Sequence, residues 1–137
     1  MKNFFSFLSR FSNKKIICFD GGGVRTIASI VFLKKLEAES GKKVTDIFDM
    51  FIGTSAGAFN AACFAYGGFS ADKVKRYWSK SYLDKIMTSS FFWDKASLFQ
   101  ARPRYESEGR LEVLNEIFGK STLKDSIKPF LSLSYNI

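Results

Sequence analysis

Ser55 stands in the pentapeptide Gly53-Thr54-Ser55-Ala56-Gly57, whose residue types and spacing suit nucleophilic chemistry. A serine with glycines two positions away on either side can occupy a sharp strand-to-helix turn. Small flanking residues let the backbone bend there without a Cβ clash. On such a turn the hydroxyl is exposed, with the positive end of a helix dipole beneath it. The same five residues also suit a plain glycine-bounded turn with a serine cap. The flanking elements must therefore carry the distinction.

They fit the first reading. Ile47, Phe48, Met50, Phe51 and Ile52 form an apolar run of the length of a buried strand. Residues 56–66 are rich in small side chains and predict a tightly packed helix. Upstream, Lys15 to Phe19 reads as a strand running into Asp20, Gly21, Gly22, Gly23, Val24 and Arg25, then a second helix. Three successive glycines can turn their N–H groups towards one point, and the first turn of a helix adds unpaired donors. The result is an anion cradle. Beside a nucleophilic serine it would stabilise the oxyanion of an acyl-transfer intermediate. A flexible turn and a phosphate loop are the alternatives for the glycines alone. Neither accounts for a serine elbow one helix later.

Asp20-Gly-Gly-Gly-Val-Arg25, then Phe48-Asp49 leading into Gly53–Gly57, resembles the patatin-like phospholipases, a family of lipid acyl hydrolases. Tyr105, Gly109, Leu111, Leu114, Phe118-Gly119, Leu123, Asp125 and Ser134-Tyr135-Asn136-Ile137 follow in an order similar to the family's, so the resemblance runs from about Lys15 to the end. It implies that Ser55 is the nucleophile and that the N–H groups of Gly21, Gly22, Gly23 and Val24 form the oxyanion hole. It also implies a Ser-Asp dyad whose aspartate lies in an Asp-Gly-Gly or Asp-Gly-Ala motif. No such motif follows Ser55 here, and the single Asp-Gly, Asp20-Gly21, belongs to the cradle. Thr26 stands where the family commonly has glycine and is a candidate cap for the following helix.

Composition narrows the chemistry. The 137 residues make one domain at most and contain no histidine, which excludes a Ser-His-Asp triad within the chain. A serine-aspartate dyad needs none. Cys18 and Cys63 match no zinc spacing, so neither a metal nor another cofactor is expected. Both cysteines read as small buried hydrophobes of a reduced protein, in keeping with cytoplasm and peripheral membrane contact.

The first 14 residues carry Lys2, Arg10 and Lys14 and no acid, with Phe4, Phe7, Leu8 and Phe11 at helical spacing. This reads as a basic amphipathic segment, either lying on an anionic membrane or packed on the domain. Ile27, Ile30, Val31, Leu33 and Leu36 predict a helix ending near Gly41. Asp46 and Asp49 lead into the elbow strand, at its far end from Ser55, and read as turn and capping residues. Ser70 is an N-cap for one helix carrying Val74, Tyr77, Trp78 and Tyr82 on one face. Phe91-Phe92-Trp93 and Leu98-Phe99 suit an acyl pocket or a flap at a membrane. Arg102, Arg104 and Tyr105 suggest nucleic acid, but acids interleave the later basic residues and no nucleic-acid module is present. Gly109 to Phe118 predicts a helix closed by Gly119. Leu131, Leu133, Tyr135 and Ile137 alternate as in a strand, and the pattern stops there.

The expected architecture is α/β, a three-layer α/β/α patatin-like fold with a mainly parallel sheet, incomplete at the C-terminus. Residues 1–14 precede it and 15–137 form its N-terminal part. The implied function is ester hydrolysis in a phospholipid or other acyl lipid at a membrane surface, with an aspartate outside this chain as base. Arg25, beside the cradle, is a candidate partner for a lipid phosphate, with helix capping and plain surface solvation as equal alternatives. Without its base the chain alone would be nearly inactive, and the competing expectation is a non-catalytic remnant or membrane-binding module.

Overall fold

The computed structural model describes residues 13–86 and 107–134. The N-terminal basic segment up to Ser12, the aromatic stretch around Phe91–Phe99, Arg102, Arg104, Tyr105, Tyr135 and Ile137 lie outside the described residues.

Three strands, β1 (Ile16–Phe19), β2 (Met50–Thr54) and β3 (Phe130–Leu133), form one parallel sheet in the order β1-β2-β3. A 3₁₀ turn (Gly23–Thr26), α1 (Ile27–Ser40) and α2 (Val44–Ile47) connect the first two strands. Between β2 and β3 the described helices are α3 (Ala56–Ala65), α4 (Ala71–Arg76), α5 (Lys80–Ile86) and α6 (Ser107–Phe118), followed by a second 3₁₀ turn (Leu123–Asp125). The α/β class and the parallel sheet are as the sequence leads one to expect.

The register explains which side chains are buried. Ile17 pairs with Phe51 and Phe51 with Phe130, while Phe19 pairs with Gly53, so these residues share one face. Helix α3 lies against all three strands on that face. Phe64 stacks on Phe19 (centroids 5.9 Å apart) and Phe51 (5.7 Å). Ile30 and Leu33 of α1, Val44, Ala71 and Val74 close the same core.

The opposite face is different. Ile16 is 52% exposed, Leu131 40% and Leu133 63%, and Cys18 is also exposed. Strands in chain order with right-handed crossovers send both connections over one face. Among the described residues the other face is therefore an apolar surface without a helix layer. This corrects one expectation. Cys18 is not buried, whereas Cys63 is, and burial pushes the Cys63 thiol pKa up. In β3 the covered residue is Phe130, and Leu131 and Leu133 point the other way.

Punctuation residues act where expected. Gly41 adopts φ 66° and donates its N–H to Glu37 O, ending α1. Ser70 Oγ accepts from Lys73 N at 3.3 Å, and Gly119 closes α6 at φ 57°. Asp49 Oδ2 accepts from Lys15 N at 2.9 Å, at the end of the sheet away from Ser55. The single helix expected from Ser70 to Tyr82 is instead two. Tyr77, Trp78 and Ser79 donate to carbonyls three residues back, a tightening that breaks α4 from α5.

Candidate active site

Strand β2 ends at Thr54 and α3 begins at Ala56, so Ser55 is the whole of the turn between them. Its backbone has φ 51° and ψ −126°, and it is the one non-glycine residue with positive φ among those described. Such a conformation costs on the order of 1–3 kcal/mol and persists only where the surroundings impose it. The surroundings here are backbone. A Cβ on Gly53 would lie 2.3 Å from Gly57 O, and one on Gly57 would lie 2.3 Å from Phe19 O. Both glycines are required for the first turn of α3 to seat against β1 and β2. Ser55 is left exposed.

The cradle occupies the same end of the sheet, because β1 and β2 are parallel and both run towards it. A Cβ on Gly21 would lie 3.3 Å from Ser55 Cβ. The sequence thus names two segments more than thirty residues apart that the fold brings into contact. Gly22 (φ 150°) and Gly23 (φ 59°) take backbone conformations that side chains disfavour.

The N–H groups are not equivalent. Gly21 N donates to Thr54 Oγ1 at 3.0 Å, tying the cradle to the elbow strand. Gly22, Gly23 and Val24 have no acceptor for theirs among the described residues, as the open first turn of a helix requires. Arg25 is exposed on this turn, and its N–H bonds back to Gly22 O. Thr26 caps nothing with its side chain. Its hydroxyl is buried, donates to Asp20 O at 3.4 Å and accepts from Asn60 Nδ2 at 3.1 Å.

A cavity of about 500 Å³ opens beside Ser55. Gly23, Val24 and Ala56 form its end at the cradle, and Phe59, Tyr77, Trp78, Leu83, Val113 and Leu114 its walls. Among the described residues the lining includes Arg110 but neither carboxylate nor imidazole. Burial pushes the Tyr77 phenol pKa up. An apolar cleft of this size accepts a hydrocarbon chain or a comparable group.

Sequence reasoning missed Asn60 and its partner Trp78, whose Nε1 donates to Asn60 Oδ1 at 2.8 Å. The available signal was an amide among the alanines of α3, a polar group that a buried helix must satisfy.

The family model described as Patatin-like phospholipase matches residues 17–136. The chain is 31% identical over 117 residues to the 85/88 kDa calcium-independent phospholipase A2 of Rattus norvegicus, covering 85% of this chain and 13% of that protein. It is 30% identical over 137 residues to Patatin-like protein 4 of Arabidopsis thaliana, covering 89% of this chain and 34% of that protein. Against the cUMP-AMP-activated phospholipase of Escherichia coli it is 30% identical over 87 residues, 61% of this chain and 27% of that protein. The chain thus spans about a third or less of these relatives. No solved structure matches it.

Proposed function

The chain belongs to the patatin-like phospholipase family, and from that membership and the strained turn at Ser55 we propose that it carries the nucleophile of a lipid acyl hydrolase. Ser55 Oγ attacks the carbonyl carbon of a carboxylic ester in a phospholipid or other acyl lipid. Its proton passes to an aspartate supplied from outside this chain. The carbonyl oxygen becomes an oxyanion and is received by the N–H groups of Gly22, Gly23 and Val24, helped by the helix dipole. Collapse of the intermediate breaks the bond to the alkoxide, which takes the proton back from the aspartate and leaves as the alcohol. The acyl-Ser55 ester is then hydrolysed by a water that gives its proton to the aspartate, releasing the fatty acid and restoring Ser55.

The observation that carries this reading is the conformation of Ser55, a non-glycine residue held at φ 51° beside open N–H donors and an apolar cavity. The cavity accommodates the acyl chain, and Val24, 45% exposed, and Leu114, 41% exposed, give its mouth an apolar rim suited to a lipid surface. Arg25, one residue beyond the cradle, receives the headgroup phosphate.

Because no Asp-Gly motif follows Ser55 in the sequence, the 137-residue chain alone is expected to turn over slowly, by a factor on the order of 10⁴ relative to an enzyme that has its base. A fluorophosphonate probe tests the assignment on this chain and on a longer product of the same gene, each beside its Ser55→Ala variant. Labelling of the longer form that disappears in Ser55→Ala supports a serine hydrolase. Labelling that survives Ser55→Ala, or none in any form, overturns it in favour of a non-catalytic lipid-binding module.

A further inference from the structure

The Trp78–Asn60–Thr26 chain of hydrogen bonds is not accounted for by nucleophile, cradle or cavity alone, yet it links the elbow helix to the cradle turn and the cavity wall. Asn60 lies one turn into the elbow helix, five residues beyond Ser55, and is completely buried. Trp78 lines the cavity. Thr26 ends the 3₁₀ turn whose earlier residues are the open donors, and its hydroxyl donates to the carbonyl of Asp20, the residue preceding the cradle.

The direction of every bond is fixed by chemistry. An indole N–H can only donate, so the Asn60 oxygen must face Trp78 and its NH₂ must face Thr26. The Thr26 oxygen, accepting from Asn60, is left to donate its own hydrogen to Asp20 O. No buried side-chain polar atom among the described residues lacks a partner, so the chain is complete.

We propose that Asn60 is a positioning residue that fixes the glycine cradle, and through Trp78 the cavity wall, relative to the elbow helix. The proposal rests on the reading of Ser55 as nucleophile. The cradle needs such a tether. Gly22 and Gly23 have few steric constraints, and a Cβ added at either would meet nothing within 4 Å. Packing therefore does not hold these two residues. Gly21 N to Thr54 Oγ1 anchors one end of the loop, and the Asn60–Thr26–Asp20 bonds anchor both the residue before the glycines and the residue after Arg25. Thr26, where the family commonly has glycine, supplies the hydroxyl that makes this second anchor.

The test reads the cradle directly. Amide hydrogen exchange over residues 20–26, the rate of fluorophosphonate labelling at Ser55, and Tm are compared for wild type, Asn60→Leu, Thr26→Val, Thr26→Ser and Trp78→Phe in the longest available form of the protein. A phosphonyl oxygen uses the same donors as an oxyanion, so misplacing them by about 1 Å should slow labelling by about a hundredfold. The expected result is faster exchange at 20–26 in Asn60→Leu and Thr26→Val, unchanged exchange in β2, slower labelling, and near wild-type behaviour in Thr26→Ser. Should Asn60→Leu fail to fold, Thr26→Val and Trp78→Phe carry the comparison, each removing one partner's contribution without adding volume to α3. Exchange over 20–26 and a labelling rate that stay at wild-type values in folded Asn60→Leu or Thr26→Val would overturn the tether. Absence of labelling in wild type would instead overturn the nucleophile, because exchange is read without any reaction at Ser55.

Discussion

Glycine matters at this site for two separate physical reasons, and substitution distinguishes them. At Gly57 the constraint is space, since a methyl group would stand 2.3 Å from Phe19 O. At Gly41 it is conformation alone, with φ 66° and nothing within 4 Å. Gly57→Ala should therefore displace the elbow helix and cost about 3 kcal/mol or more, with labelling at Ser55 lost. Gly41→Ala should cost about 1 kcal/mol with labelling intact, both read from urea midpoints. Ser55 poses the converse case, a side chain where glycine would be relaxed. Ser55→Gly and Ser55→Ala should both abolish labelling, but Ser55→Gly should melt higher than Ser55→Ala by about 3–5 °C, the release of roughly 1 kcal/mol of strain. Equal melting temperatures would show that the turn is unstrained. The serine and its glycines were legible in the sequence because backbone geometry dictates their spacing locally. The Asn60 contacts were not, since its partners lie 34 and 18 residues away and no local pattern encodes them.

Helix boundaries show the same division between local and distant causes. Gly41, Ser70 and Gly119 mark boundaries through their own backbone or hydroxyl chemistry, and each could be read directly. The break between α4 and α5 could not, because the apolar spacing of Val74, Tyr77, Trp78 and Tyr82 continues across it. It is where Trp78 reaches Asn60 and where Tyr77 packs edge-on against Phe59. Gly109 likewise reads as an ordinary helix residue, yet a Cβ there would lie 2.1 Å from Lys85 O, so it sets how closely α6 approaches α5. Glu37 is the least legible of these. From α1 its carboxylate accepts from Val44 N (3.0 Å) and Ala71 N (2.9 Å), capping two other helices at once. Each cap contributes about 1 kcal/mol. Glu37→Ala should then cost about 2 kcal/mol in chemical denaturation at unchanged m-value, and Glu37→Gln, which keeps one acceptor, about half. A loss confined to one helix would show that the two caps are not shared by this residue.

On the scale of the whole chain, period-two alternation in β3 reveals that one set of residues differs from the other but not which set is covered. That depends on crossover direction, a property of the topology. Charge is the other global property. Against 13 acidic residues stand 21 basic ones, so protonating carboxylates raises an already positive charge and adds self-repulsion. Among the described residues three aspartates have pKa values held below the ordinary 3.8: Asp49 by its bond from Lys15 N and by Lys14 and Lys128 nearby, Asp72 by Lys34 and Arg76, and Asp125 by its two bonds from Thr122. Their unfolded forms take up protons before their folded forms do. The stability they contribute is therefore present above the unfolded value and is lost as pH falls through the folded ones. Tm should be flat near neutrality and fall as the pH drops below about 4. Added salt should soften the fall by screening the repulsion. Asp49→Asn, which removes the titrating group that links the entry to β1 with the entry to β2, should make the acid limb shallower while lowering Tm slightly at neutral pH. An acid limb of unchanged slope in that variant would show that the fall comes from general charge repulsion rather than from Asp49.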